Sequence, residues 1–436
     1  MISTRMKLVA AAVMAIGGLL PLGLHWLVFG RAPCLMADKA KELLESGANA
    51  VLVDVRSAED FAQNHLEAAQ NWPFEQISGL ESANAIPERL QGKRLLLICD
   101  SGLLSGMAAA KLRQLGRRDV LNVDGGMQAW VASGDKPCGL ALCRLKTASG
   151  DARSLPFRES TLLEQSVAVW TGFFVKPLYT LLSFAWMIVL WKSRAADLSA
   201  FRWAMLCFFV GENFCAANYL AYSDTSQLFE YLHSYGMVLC FGMTTFAVLE
   251  GIDLRLVKLS DPKAHCAALS LCHRCIKYTD VPCGLKRVFL FLIPATAVLC
   301  FLPLCAEPLP VSYNTKIFGT FYNWSHPAIC QIYEIRFLPA AAMLLFAASL
   351  VLLQVRVQEP ILWSKVFFSA AVGALGFSLF RLVLFQVYRD NLTWFAAWEE
   401  LTELLFILAA GLVLWIFRRG LFPTLESQHR MPSGAS

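Results

Sequence analysis

Cys99 heads a short loop, Cys99-Asp100-Ser101-Gly102-Leu103-Leu104-Ser105, directly after the apolar run Arg94-Leu95-Leu96-Leu97-Ile98. A cysteine that closes a buried strand and precedes a helix stands where open α/β sheets place their ligands. Backbone N–H groups of the loop and of the helix N-terminus then face the sulfur and favour the thiolate, which is the nucleophilic form. Gly102 permits a tight turn, and Ser105 brings a hydroxyl near the helix start. A thiolate held this way can accept a sulfur atom, hold it as a persulfide and pass it to another thiol. The bland alternative is an inert thiol at a strand end.

A second group of soft ligands lies far along the chain. Cys266, Cys272, Cys275 and Cys283 fall within eighteen residues, with His265 and His273 as alternative ligands. Four thiols in one short loop suit a tetrahedral zinc ion or an iron–sulfur cluster. A thiol relay for sulfur and reduced spectator cysteines are the competing readings.

The elements that must position Cys99 can be read from the apolar pattern. Ala50-Val51-Leu52-Val53-Asp54-Val55 is continuous and β-branched, as a buried strand requires, and 94–98 and 120–123 read the same way. Helical stretches such as 106–115 separate them, so a parallel sheet flanked by helices is expected.

These residues resemble the rhodanese-like family. Asp54-Val55-Arg56, Phe61 and the run from His65 to Pro73 are similar to its first conserved strand and following turn. Residues 99–105 resemble its active-site loop, and Gly125-Gly126-Met127-Gln128-Ala129-Trp130, then Gly134 and Pro137, resemble its closing helix. Four elements in order make the resemblance specific, and it covers about a quarter of the chain. The resemblance implies sulfurtransferase chemistry at Cys99, with a sulfane-sulfur donor, a thiol acceptor and no cofactor needed for the transfer. Arg56 and His65 are expected near the site, in structural or substrate-binding roles. The loop of six residues from Cys99 to Leu104 matches the sulfur-handling branch rather than the related phosphatases, whose loop is one longer. Two positions depart from the pattern. The loop carries Asp100 and no Arg or Lys, and Asn64 replaces the usual Gly before His65. A negative charge beside the sulfur disfavours an anionic sulfur and repels an anionic donor.

The rest of the chain belongs to another solvent. Hydrophobic residues make up 56% of the 436 and charged residues 16%, against about 25% charged in soluble proteins. Residues 8–29 and seven later segments, 168–191, 201–222, 231–250, 288–306, 337–355, 364–388 and 398–417, are long enough to span a bilayer as helices. The expected organisation is a signal anchor at 1–33, a rhodanese-like domain at 34–145, a linker at 146–166, an all-α polytopic membrane domain at 167–420 and a polar tail at 421–436. Lys192, Arg194 and Arg202, seven cations between 251 and 287, Arg356 and Lys365, and Arg418 and Arg419 mark alternate loops, whereas the intervening loops are nearly bare. Positive residues resist translocation, so both termini are expected in the cytoplasm of a multi-pass inner-membrane protein, with the rhodanese-like domain outside. The lipid bilayer is an expected partner and nucleic acid is not.

Fourteen cysteines are many for this length. Outside the cytoplasm, Cys138 could pair with Cys143 and Cys305 with Cys330. Within the membrane, Arg381 and Glu403 are expected to pair, and Glu212, Cys215 and Tyr219 to line one helical face. Two readings of the whole remain: a sulfur-transferring enzyme, or an inactive rhodanese-like module that senses sulfur or redox state and regulates the helices.

Overall fold

The three apolar runs form the centre of a five-stranded, all-parallel sheet. Its strands are β1 (Cys34–Leu35), β2 (Ala50–Asp54), β3 (Ala69–Asn71), β4 (Arg94–Ile98) and β5 (Val120–Val123), in the order β1-β5-β4-β2-β3. The computed structural model describes residues 4–29, 33–132, 158–222, 227–257, 284–306, 311–326, 328–354, 360–388 and 391–416. Helix α1 (Thr4–Phe29) precedes the sheet, and α2 (Ala37–Glu45), α3 (Ala58–Gln63), α4 (Phe74–Ser78), α5 (Leu103–Gln114) and α6 (Gly126–Ala132) alternate with its strands.

Side chains alternate across a strand, and here both faces are covered, so the strands read as unbroken apolar runs. Val51, Val53, Leu95, Leu97 and Cys99 face Ile77 of α4 and Ala108, Ala109 and Leu112 of α5. Leu52, Leu96, Ile98 and Val123 face Ala37 and Ala40 of α2 and Met127 and Trp130 of α6. Each buried Leu or Val contributes about 1.5–3 kcal/mol. In register, Asp54 lies opposite Ile98. The chain therefore leaves β2 toward Arg56 and β4 toward Cys99 at the same carboxyl edge.

The remainder is helical. α7 (Leu162–Trp170) runs through a wider π turn into α8 (Lys176–Val189), followed by α9 (Ala196–Tyr222), α10 (Gln227–Gly251), α11 (Gly284–Val298) and α12 (Phe301–Cys305). The hairpin β6 (Val311–Ile317) and β7 (Thr320–His326) precedes α13 (Ala328–Ile332), α14 (Leu338–Gln354), α15 (Pro360–Tyr388) and α16 (Leu392–Ile416). Among the described residues, seven helices are long and apolar enough to cross a membrane: 11–29, 162–189, 196–221, 228–255, 287–305, 329–354 and 361–388. The last expected span falls in α16, a helix of similar length that carries Glu399, Glu400 and Glu403.

The sheet domain rests on this helical body. A Cβ on Gly106 of α5 would stand 2.8 Å from the Phe29 ring at the end of α1. The Ile329 N–H donates to Asp124 Oδ1 at 3.1 Å, tying the segment after β5 to the first turn of α13. Phe29, Ile329, Cys330 and Ile332 form a small apolar cluster there, with Cys34 and Met107 against it.

Several expectations inside the helical body are corrected. Arg381 is engaged by Glu334 at 3.0 Å, by Glu399 and by Glu230 at 3.7 Å, not by Glu403. Glu399 lies one helical turn before Glu403, and the guanidinium meets that nearer turn. Cys305 is exposed at the end of α12 while Cys330 is buried against Phe29, so they form no disulfide. Along the face shared by Glu212, Cys215 and Tyr219 on α9, Glu212 is buried and Tyr219 is half exposed. Lys365, counted among the loop cations, is buried between Glu250 and Asp253. Cys138 and Cys143 lie outside the described residues.

Candidate functional site

Cys99 follows β4 with its sulfur buried above the N-terminus of α5. The Ser105 backbone N–H and hydroxyl each donate to Sγ at 3.3 Å, satisfying one of the helix's first N–H groups with the sulfur. Both donors point at the sulfur, which also faces the N-terminus of the helix. Gly102 is the residue before the helix and has φ +83°, a left-handed conformation that glycine adopts without strain.

The loop rests on a floor built by the segment after β5. The Met127 N–H donates to the Cys99 carbonyl at 2.7 Å. Gly126 has φ +54°, and a Cβ there would collide with the Cys99 carbonyl oxygen and lie 2.7 Å from Gly102 N. Gly102 likewise approaches Gly125 N, which a Cβ would meet at 2.9 Å. Asn122 is wholly buried in β5 and donates to the Gly102 carbonyl at 3.1 Å. Asn122 and the two glycines thus hold the loop from beneath, a role the sequence reading did not assign them. A polar side chain inside the short run Val120-Leu121-Asn122-Val123 was the available signal.

Arg56 ties the loop to the neighbouring strand. Its Nε and Nη2 donate to the Asp54 carboxylate, its Nη1 to Asn64 Oδ1 at 3.0 Å and Asp100 Oδ1 at 2.9 Å, and its Nη2 also to the Asn64 carbonyl. All five guanidinium N–H groups are engaged, leaving none for a bound anion. Burial alone would lower the Arg56 pKa, but hydrogen bonding and charge attraction from Asp54, then Asp100, outweigh it and raise it. Asp54 is fully buried, so removing Arg56 would strand its charge at a cost of roughly 3–5 kcal/mol. Asn64, the departure noted above, serves here as a guanidinium partner. Asp100 is exposed and shares one cation with Asp54, so the three groups together carry a net charge of −1.

His65 is turned to a different task. Its Nδ1 bonds the Phe61 carbonyl at 2.8 Å and its ring stacks on Phe61 at 4.1 Å. Ser101 is half-buried and Leu103 exposed at the loop's outer side. The candidate metal ligands Cys266, Cys272, Cys275 and Cys283, with His265 and His273, lie outside the described residues.

Cys99 thus stands at the carboxyl edge of an open parallel α/β sheet, over a glycine floor. The family model described as "Rhodanese-like domain" matches residues 36–133. Over 96 residues the chain is 38% identical to thiosulfate sulfurtransferase GlpE of Pseudomonas savastanoi pv. phaseolicola, a match covering 22% of this chain and 84% of that protein. It is 29% identical over 113 residues to an uncharacterised protein of Synechocystis sp., 26% of this chain and 58% of that one. The solution structure of a rhodanese-like domain from an Anabaena protein aligns at 22% identity with a TM-score of 0.23, covering 27% of this chain and 88% of that one. Through residues 36–133 the chain belongs to the rhodanese-like family. That domain is of the sulfurtransferase type.

Proposed function

We propose that the protein is a membrane-bound sulfurtransferase in which Cys99 carries sulfane sulfur as a persulfide on the extracytoplasmic side. The observation that carries this reading is the pair of Ser105 donors on the Cys99 sulfur. The Cys99 thiolate attacks the outer sulfur of a donor. A new S–S bond forms, the donor's S–S bond breaks and the shortened donor leaves as an anion. An acceptor thiolate then attacks the outer sulfur of the persulfide, taking it and returning Cys99 to the thiolate. Electrons balance without an added oxidant.

The loop charge bias supports the proposed sidedness, with both termini in the cytoplasm and the rhodanese-like domain outside. The Asp124–Ile329 hydrogen bond supports it, because it joins the domain to a helix end that the bias also assigns to the outer side. The test is sulfur transfer from a persulfide donor to an acceptor thiol by the purified full chain. Cys99→Ser should abolish it, and activity equal to the original chain would overturn the proposal.

One contact favours the second reading, in which the domain regulates the helices. The helix that begins at the reactive loop packs through Gly106 on Phe29 of α1, so a change in the Cys99 loop has a direct mechanical route to the helical body. In that case Cys99 takes up sulfur but passes none on.

A further inference from the structure

Deep in the helical body, α9, α10 and α16 bring three metal-ligating side chains together. Gly236 of α10 packs so closely on α9 that a Cβ would lie 2.7 Å from Gly211 Cα, the close approach that small residues permit between membrane helices. That contact sets Glu212, next to Gly211, beside His233, three residues before Gly236. His233 Nε2 lies 3.0 Å from Glu212 Oε1. Glu403 of α16 completes the group: one ligand atom from each of Glu212, His233 and Glu403 lies within 4.8 Å of the others. All three residues are buried, at 1%, 3% and 4% exposure.

Two unpartnered atoms indicate that this group lacks a component. Glu403 Oε2 and His233 Nδ1 are buried and have no hydrogen-bond partner among the described residues, a state that costs about 1–3 kcal/mol per group, and more when it is charged. Lys176 bridges Glu212 Oε2 at 2.7 Å and Glu400 Oε1 at 2.9 Å, and the Tyr179 hydroxyl lies within hydrogen-bond distance of both Glu212 and Glu400. With Glu212, Glu400 and Glu403 ionised, Lys176 charged and His233 neutral, the state in which these groups would ligate a cation, the group sums to −2. Arg381, the next cation, is already engaged by Glu230, Glu334 and Glu399. Uncompensated charge inside a bilayer is strongly disfavoured.

We propose that Glu212, His233 and Glu403 bind one divalent transition-metal ion within the helical domain. A charge of +2 brings the group to zero. One imidazole and two carboxylates form a nitrogen–oxygen donor set suited to zinc, manganese or ferrous iron. Ligands about 2.0–2.2 Å from one tetrahedral ion stand roughly 3.3–3.6 Å apart, so side-chain shifts of about 1 Å close a site whose ligand atoms lie within 4.8 Å of one another. Lys176 and Tyr179, themselves held by Glu400, form the outer layer that fixes the Glu212 carboxylate. The ion would cross-link three helices, whatever the chemistry at Cys99.

The test uses the full chain carrying Cys272→Ser and Cys275→Ser, which removes two of the four candidate cysteine ligands of the 266–283 loop. Purified without chelator, or stripped and reloaded with Zn2+ or Mn2+ and desalted, it should retain about one ion per chain. X-ray absorption should give nitrogen and oxygen neighbours and no sulfur. Adding Glu403→Gln should reduce the retained metal at least tenfold. Mn2+ electron paramagnetic resonance on the chain with the site intact decides the case if that variant does not fold: coupling to one imidazole nitrogen is expected. A protein that retains no metal after reloading, a sulfur-ligated ion, or content unchanged by Glu403→Gln would overturn the proposal.

Discussion

Replacing Gly126 with Ala tests how the reactive loop is held, and Gly47→Ala supplies its control. Both glycines have positive φ, +54° and +71°, so both substitutions bear the left-handed penalty of roughly 1–2 kcal/mol. They differ in surroundings. Nothing lies within 4 Å of a Cβ at Gly47, whereas a Cβ at Gly126 meets the Cys99 carbonyl, Gly102 N and Asp100 C. Those are backbone atoms, so the loop itself must move, adding about 1–3 kcal/mol. Gly126→Ala should therefore open the 99–105 segment about five- to 150-fold more often than the control does, since each 1.4 kcal/mol is a factor of ten. Peptide-resolved hydrogen exchange across the Cys99–Met127 hydrogen bond reads that opening. The rate of sulfur loading at Cys99 should fall in Gly126→Ala alone. Equal exchange and equal loading in the two variants would refute the claim that Gly126 supports the loop.

Three further outcomes are expected. Cys99 should load from polysulfide or a low-molecular-weight persulfide faster than from thiosulfate, because Arg56 has no free donor and the Asp54–Arg56–Asp100 group is net negative; equal or faster loading by thiosulfate would sink this argument. A reporter fused after Ser154 should score as extracytoplasmic and one inserted near Asp261 as cytoplasmic, and reversed signals would overturn the orientation. The 266–283 loop should bind zinc, or iron with sulfide, that Cys272→Ser with Cys275→Ser removes while leaving Cys99 loading intact; sulfur-ligated metal persisting in that variant would remove those cysteines from the site.

The sheet was legible because its strands are buried on both faces, and a buried parallel strand is written as a continuous apolar run. The runs at 50–55, 94–98 and 120–123 show this, whereas β1 and β3, two and three residues long, leave no such pattern. Cys99 stood out by chemistry and position. The residues that hold its loop did not, since Asn122 and Gly126 act through contacts between segments distant in sequence. Hydropathy likewise located the long helices but not the pairing of charges inside them. Depth along a helix suggested Arg381 with Glu403, yet a difference of one turn hands Arg381 to Glu399 and leaves Glu403 beside Glu212 and His233. Such partners depend on helix rotation and packing, which a single sequence does not encode locally.

The central claim is that the Cys99 sulfur takes and holds sulfane sulfur. Peptide mass spectrometry of the full chain after brief exposure to polysulfide, with the persulfide trapped by an alkylating reagent, measures this directly. The account predicts a gain of one sulfur atom on the Cys99 peptide. It also predicts that the gain reverses with an acceptor thiol and slows when Ser105→Ala removes one of the two donors to Sγ. A Cys99 peptide that stays unmodified while other cysteines in the same chain take up sulfur would contradict it.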